Sequence, residues 1–419
     1  MASGEELVTL SDDEFESLAI LYGARTAFAL KQHLVLVTGK TRFQQRLLEN
    51  GSILPDDALL HLPLTVGLVF LSFCTLDTQC STALEIAISQ DDANCVDALL
   101  QEPFDPNAEG FRDFQFLSRA ASANSVRSAK LLVEARAELS RPDADSGLAP
   151  LHHACVSGSV AITHWLIESG VDVARPAATE RVPILPLELA IAGGNTEIAR
   201  LLIQASASVN AVADRRLTPL GLACSVGQVG MARLLVEAGA DVNYRHDCDT
   251  PLHAACTRGW LEVVRFLVEA GADKEVVGTE GPPLHAAITF GHTDTVRYLL
   301  EASASIEASP PIGRTPLVLA CLVSQLDSVR LLTQHRACLD KADEGSFIPL
   351  HVACFMGDLE IVRALIQGRA NLSIMADGVS AAEIAHSREF HDIASLLTDA
   401  ARGSNERHTK RRRRIKGPP

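Results

Sequence analysis

Ten cysteines and fourteen histidines are the residues of this 419-residue chain with the richest chemistry. Their types suit zinc ligation, disulfide formation or attack by a thiolate. Their spacing argues against all three. No Cys-x-x-Cys pair occurs, and Cys155, Cys224, Cys256, Cys321 and Cys354 each fall six residues after the start of a recurring pattern. His152, His253, His285 and His351 likewise share the fourth residue of that pattern. Equivalent positions in neighbouring repeats lie about one helix-packing distance apart, roughly 8–10 Å, too far for a disulfide. The cysteines therefore read as small apolar side chains facing a core, and the histidines as rings bonded to backbone at helix starts and loops. The carboxylate pairs Asp91/Asp92 and Asp56/Asp57 fall in turns, where solvated carboxylates are usual. Gly193-Gly194 lies at a helix–helix turn, and the chain has no His-Glu-x-x-His, phosphate-cradling loop or nucleophile elbow. We expect no enzyme, no catalytic residue, no metal and no cofactor.

The elements that place these residues come from an internal repeat. Thr218-Pro-Leu, Thr250-Pro-Leu-His253 and Thr315-Pro-Leu recur in matching surroundings, with motif starts at 82, 115, 149, 185, 218, 250, 282, 315, 348 and 380. Thr serves as N-cap and Pro fits the first helical turn. Leu252 and Ala255, or Leu350 and Ala353, give a short helix its apolar face. Gly158, Gly227, Gly259, Gly291 and Gly357 end that helix. A second helix follows, as in Glu262-Val-Val-Arg-Phe-Leu-Val, and a polar turn such as Gly239-Ala-Asp-Val-Asn243 leads on. Neither helix hides its apolar face alone, so neighbours must stack.

This pattern resembles the ankyrin repeat across roughly 79–400, most specifically over 218–307. Gln115-Phe-Leu-Ser118 replaces the signature at one start, and Asp91 stands where Gly is expected. Glu383, His386, Arg388 and Glu389 make the last unit polar, which suits a solenoid cap.

The period changes before the repeats. Ala24–Leu36 reads as a helix, Gln45–Leu48 and Val66–Phe70 as strands, and Asn50-Gly51 as a hairpin turn. Val8, Leu10 and Leu18–Leu21 could complete a small mixed sheet crossed by the helix. Phe43-Gln-Gln-Arg-Leu-Leu48, Gly51-Ser-Ile-Leu54 and Thr65-Val-Gly-Leu-Val69 resemble the second half of ubiquitin. The resemblance implies an α+β ubiquitin-like (β-grasp) domain over 5–73, with Leu48 and Val69 at two positions of a receptor-read patch. Gly67 replaces the patch histidine, and Leu71-Ser-Phe-Cys74 stands in place of a diglycine end. Conjugation is therefore not expected.

Net charge is −15. Residues 402–416 hold eight Lys or Arg against Glu406, so this stretch carries +7 and the remainder −22. An acidic body argues against a broad nucleic-acid surface. Lys410, Arg411, Arg412, Arg413, Arg414 and Lys416, within an expected disordered tail over 401–419, resemble a nuclear localisation signal. Contact with RNA or acidic lipid, or folding back onto the acidic body, are the rival readings. The acidic opening lacks a signal-peptide pattern, and Ala58–Phe73, interrupted by His61 and Pro63, falls short of a membrane span. A cytoplasmic or nuclear protein is expected.

In ankyrin proteins partners lie against the loop tips and the exposed side of the first helices. The resemblance thus implies a partner-binding row of Val226, Arg258, Phe290, Leu322, Val323, Phe355 and Met356, with Trp260 nearby. Tyr244, Arg245 and His246 form a second candidate. The expected function is a non-enzymatic scaffold or adaptor binding protein partners. The alternatives are a ubiquitin-pathway adaptor, whose head engages a receptor, and a nuclear regulator contacting nucleic acid through its tail.

Overall fold

A computed structural model describes residues 3–9, 26–49, 52–60, 65–71, 78–102, 104–108, 115–179, 183–212, 217–245, 248–310 and 313–402. The chain divides into two compact units, Met1–Ser208 with Ala213–Arg215, and Val209–Val212 with Arg216–Pro419.

The first unit opens with β1 (Ser3–Thr9), α1 (Ala27–Thr38), β2 (Gln45–Glu49), β3 (Ser52–Ile53) and β4 (Thr65–Phe70). Thr26 caps α1 by accepting the Ala29 N–H at 3.3 Å. Gly39, at φ +70°, closes the helix by donating to the Val35 carbonyl. The sheet order is β1-β4-β2-β3. Every described pairing in it is antiparallel. The expected strand at Leu18–Leu21, and Leu10, lie outside the described residues. Leu47 pairs with Leu68 across β2 and β4. Both are fully buried against Ala27, Leu30 and Leu34 of α1. The opposite face of the same two strands carries Arg46, Leu48 and Val69, by the two-residue alternation of strands.

Helix pairs follow. In the first unit they are Thr78–Ser89 with Ala93–Leu100, Phe116–Ala123 with Val126–Glu134, Pro150–Ser157 with Val160–Glu168, and Pro186–Ala192 with Thr196–Gln204. The second unit has Pro219–Val226 with Val229–Glu237, Pro251–Arg258 with Leu261–Glu269, and Pro283–Thr289 with Thr293–Glu301. It continues with Pro316–Leu322 with Leu326–Gln334, Pro349–Met356 with Leu359–Gln367, and Ala381–Ser387 with a helix over 391–402. Within each unit, first helices stack on first helices and second on second. Pro at the first helical position marks most starts because its missing N–H has no intrahelical partner to lose. The opening repeat departs from this. Its helix begins at Thr78 rather than at the expected start at 82, where Ser81-Thr82-Ala83 offers no proline to fix a helix start.

The core layers share one pattern, with Cys at a slot that Ile191 and Ile288 fill in other repeats. Leu252, Ala255, Cys256, Val264 and Leu267 are fully buried in one repeat, and Leu350, Ala353, Cys354, Val362 and Leu365 in another. Small Ala and Cys side chains let neighbouring helices approach closely. The five repeat-position cysteines are buried free thiols. Burial pushes the Cys354 thiol up to about 12 and the other four further still. They act as packing groups, not nucleophiles.

Candidate binding surface

The repeat histidines work as clamps. His253 Nδ1 accepts the Thr250 N–H at 3.1 Å, and Nε2 donates to the Gly281 carbonyl of the next hairpin at 3.1 Å. His152 does the same between Ala149 and Arg175, both at 3.2 Å. His285 donates to Arg314 at 2.8 Å and His351 to Val379 at 3.2 Å. Desolvation lowers the pKa of all four, that of His152 to about 4, so the neutral ring is the working form. The His285 Nδ1, like that of His351, is buried without a hydrogen-bond partner among the described residues. Its repeat begins with Pro282, which has neither N–H nor hydroxyl to offer.

A second device closes three of the turns. The residue before a second helix reaches back to the preceding repeat. Asn195 Nδ2 donates to the Cys155 carbonyl at 2.8 Å, Trp260 Nε1 to Ser225 at 3.1 Å, and His292 Nε2 to Thr257 at 3.0 Å. These side chains lie directly on the turn glycines: a Cβ on Gly227, at φ +83°, would stand 2.6 Å from the Trp260 indole. Asp91 takes the same left-handed conformation at φ +50° without being glycine. Its carboxylate accepts the Ser128 N–H and hydroxyl at 3.0 and 2.9 Å. It is therefore a structural acceptor, not a solvated turn residue.

The sequence-derived row lies along the second unit. Val226, Arg258, Leu322 and Met356 end their first helices, Phe355 precedes Met356, and Phe290 and Val323 are the residues that cap theirs. Phe290 and Phe355 are each 49% exposed, Val226 44% and Met356 40%, whereas Leu322 and Val323 are half-buried. Arg258 is exposed. Two members have internal partners. Trp260 is tied to Ser225 as described, and the Arg388 guanidinium lies over the Phe355 ring at 4.2 Å from its centroid. Of the second candidate, Tyr244 is half-buried, Arg245 Nη2 donates to the Val277 carbonyl at 3.0 Å, and His246 lies outside the described residues.

Sequence reasoning missed a groove of about 770 Å³ between consecutive hairpin loops, lined by Val277, Glu280, Pro310, Arg314, Glu344 and Phe347 among others. Phe347 is 47% exposed, an aromatic ring in a mainly acidic loop, which is the one signal that the sequence offered.

The family described as ankyrin repeats (3 copies) matches residues 84–177, 183–246, 244–310, 276–343 and 307–376. The chain belongs to the ankyrin-repeat family. Among solved structures it is similar to the human ASB11 ankyrin repeat domain, at 28% identity and a TM-score of 0.48, over 54% of this chain and 99% of that one. No curated protein matches it. Ankyrin repeats bind protein partners, and no catalytic family is indicated. Among the described residues no three His, Cys, Asp or Glu converge as a metal centre, and no helix is long and apolar enough to cross a membrane.

The head is joined to the first ankyrin repeats by a buried cation. Arg42, 3% exposed, donates from Nε to Glu134 at 2.6 Å, from Nη1 to Asp56 at 3.1 Å, and from Nη2 to Asp97. Its guanidinium stacks on Phe43 at 4.0 Å and Phe28 at 5.0 Å. Burial alone would lower its pKa; the hydrogen bonds that it donates to Glu134 and Asp97, with their charges, outweigh this and raise it. Asp56 also pairs with Lys31 at 2.5 Å, which corrects its reading as a solvated turn carboxylate. Arg46, on the sheet face that carries the half-buried Leu48 and Val69, donates to the Gln101 carbonyl.

Proposed function

We propose that this chain is a non-enzymatic adaptor that captures a polypeptide along the row Phe290, Leu322, Val323, Phe355 and Met356, with Val226 and Arg258 extending it. The supporting observation is that these side chains recur at two adjacent positions closing successive first helices, where Phe290, Phe355 and Met356 remain substantially exposed above a buried apolar core. Aromatic, Met and Arg side chains on a rigid frame are typical of interface centres. Trp260 belongs to the frame as much as to the surface, since its indole closes the Gly227 turn. The free buried thiols suit a reducing compartment, cytoplasmic or nuclear.

The head, in this reading, is a ubiquitin-like cap. An α-helix on a four-stranded sheet and the Leu48/Val69 face support that kinship. The Arg42 network supports a fixed orientation on the repeats over a free signalling module.

Replacing Phe290, Val323 and Phe355 together by Asp should abolish capture of partners recovered by proximity labelling of the full chain, with helical circular dichroism unchanged. Undiminished capture by a folded triple variant removes this row as the binding surface.

A further inference from the structure

The hairpin groove and the basic stretch complement each other in charge and position. The groove's own cation, Arg314, is already engaged, with its guanidinium over the Phe347 ring at 5.3 Å and 3.9 Å from Asp343. Glu280 and Glu344 stand exposed along the same walls. The surrounding hairpin loops, 241–250, 273–281, 305–314, 338–348 and 371–380, hold eleven Asp or Glu against four Lys or Arg. That excess of seven negative charges equals the +7 of residues 402–416.

Geometry brings the two within reach. Second helices run back toward the hairpin loops: Leu326–Gln334 and Leu359–Gln367 each end directly before one. The helix over 391–402 is also a second helix, so Arg402 leaves on the loop side of the stack. The groove runs from two repeats back, at the loop with Glu344, to four back, at the loop with Glu280, about 16–40 Å at the usual helix-packing distance. The twelve residues from Gly403 to Arg414 span up to about 40–43 Å when extended.

We propose that Lys410–Lys416 of this same chain docks in the hairpin groove, with its arginines against Glu280 and Glu344 and Ile415 beside Val277 and Phe347. The cationic stretch then acts as an internal ligand, occupying a site that borders Phe290 through Thr289. This goes beyond the adaptor reading and does not depend on it, because the site requires no outside partner.

The test uses the full chain with a benzophenone amino acid at position 415. Irradiation of the purified, nuclease-treated protein should attach that residue to peptides spanning 277–281 or 343–347 of its own chain. Glu280→Lys with Glu344→Lys should cut the yield at least fivefold. Both positions are exposed, and circular dichroism confirms the fold. Raising salt from 50 to 500 mM should lower the yield in the unaltered groove. Attachment elsewhere on the body, a yield indifferent to charge reversal and salt, or attachment between isotopically labelled and unlabelled chains overturns the proposal.

Discussion

Arg42 and Glu134 lie 92 positions apart in sequence, yet the guanidinium Nε and the carboxylate Oε1 stand 2.6 Å apart, with Arg42 almost wholly out of water. One ion pair thus fastens the N-terminal domain to the second repeat, with Asp97 and Asp56 completing the cation's partners. Truncating one member of a buried pair leaves uncompensated charge, at a cost of about 3 kcal/mol. Arg42→Ala should therefore lower the urea midpoint of the first unit. Trp165, in the first unit, reports it by fluorescence once Trp260 is replaced by Phe. An unchanged midpoint removes Arg42 from the role of fastener.

Acid should loosen the repeats before it protonates most carboxylates. The clamp histidines have folded pKa values below the ordinary 6.5, that of His152 at about 4. Between those values the unfolded chain binds more protons than the folded one, so stability falls as pH falls. The contribution is complete above pH 6.5 and is lost on descent toward pH 4. Thermal midpoints taken from pH 7.5 to 4.5 should decline, and His152→Gln should flatten the slope. An equal slope in that variant counts against the clamp as its source.

Pro282 leaves the His285 Nδ1 without a donor, whereas Thr250 gives His253 both an N–H at 3.1 Å and a hydroxyl at 2.8 Å. Pro282→Thr should restore that pair and raise stability by about 1 kcal/mol, the net value of satisfying a buried polar group. A lower melting temperature would show that the proline's restriction of the unfolded chain matters more.

Gly227 and Trp260 should behave as one coupled element. Gly227→Ala meets both a left-handed backbone and an indole 2.6 Å from the new Cβ, so a loss of about 2 kcal/mol is expected. Trp260→Ala removes the obstruction. The double variant should then lose less than the two single losses combined, by 0.5 kcal/mol or more on the ordinary scale of contacting pairs. Strict additivity in denaturant titrations would argue against the contact.

The repeat was legible because its signals are local. Thr-Pro fixes a helix start, a Gly fixes the turn, and Cys256 or Cys354 fills a buried apolar slot that Ile191 and Ile288 fill in other repeats. The histidine role was legible for the same reason. Arg42 was not, because its partners Asp97 and Glu134 arrive from distant segments and nothing around Arg42 marks it as buried. The opening helix started earlier than the motif register, since its first turn lacks the proline that marks the others. One-dimensional spacing places Trp260 beside the exposed row, and it is 44% exposed there. Its attachment to the previous turn depends on stacking that only three dimensions show.

That attachment has a direction. Ser225 and Gly227 are held by Trp260, Thr257 and Gly259 by His292, and Gly357 is covered by Phe390, always by a residue later in the chain. At these turns the earlier repeat is finished by its successor. A chain emerging from the ribosome would leave its newest turn open until another thirty-odd residues had appeared, and order would propagate stepwise from the N-terminal side.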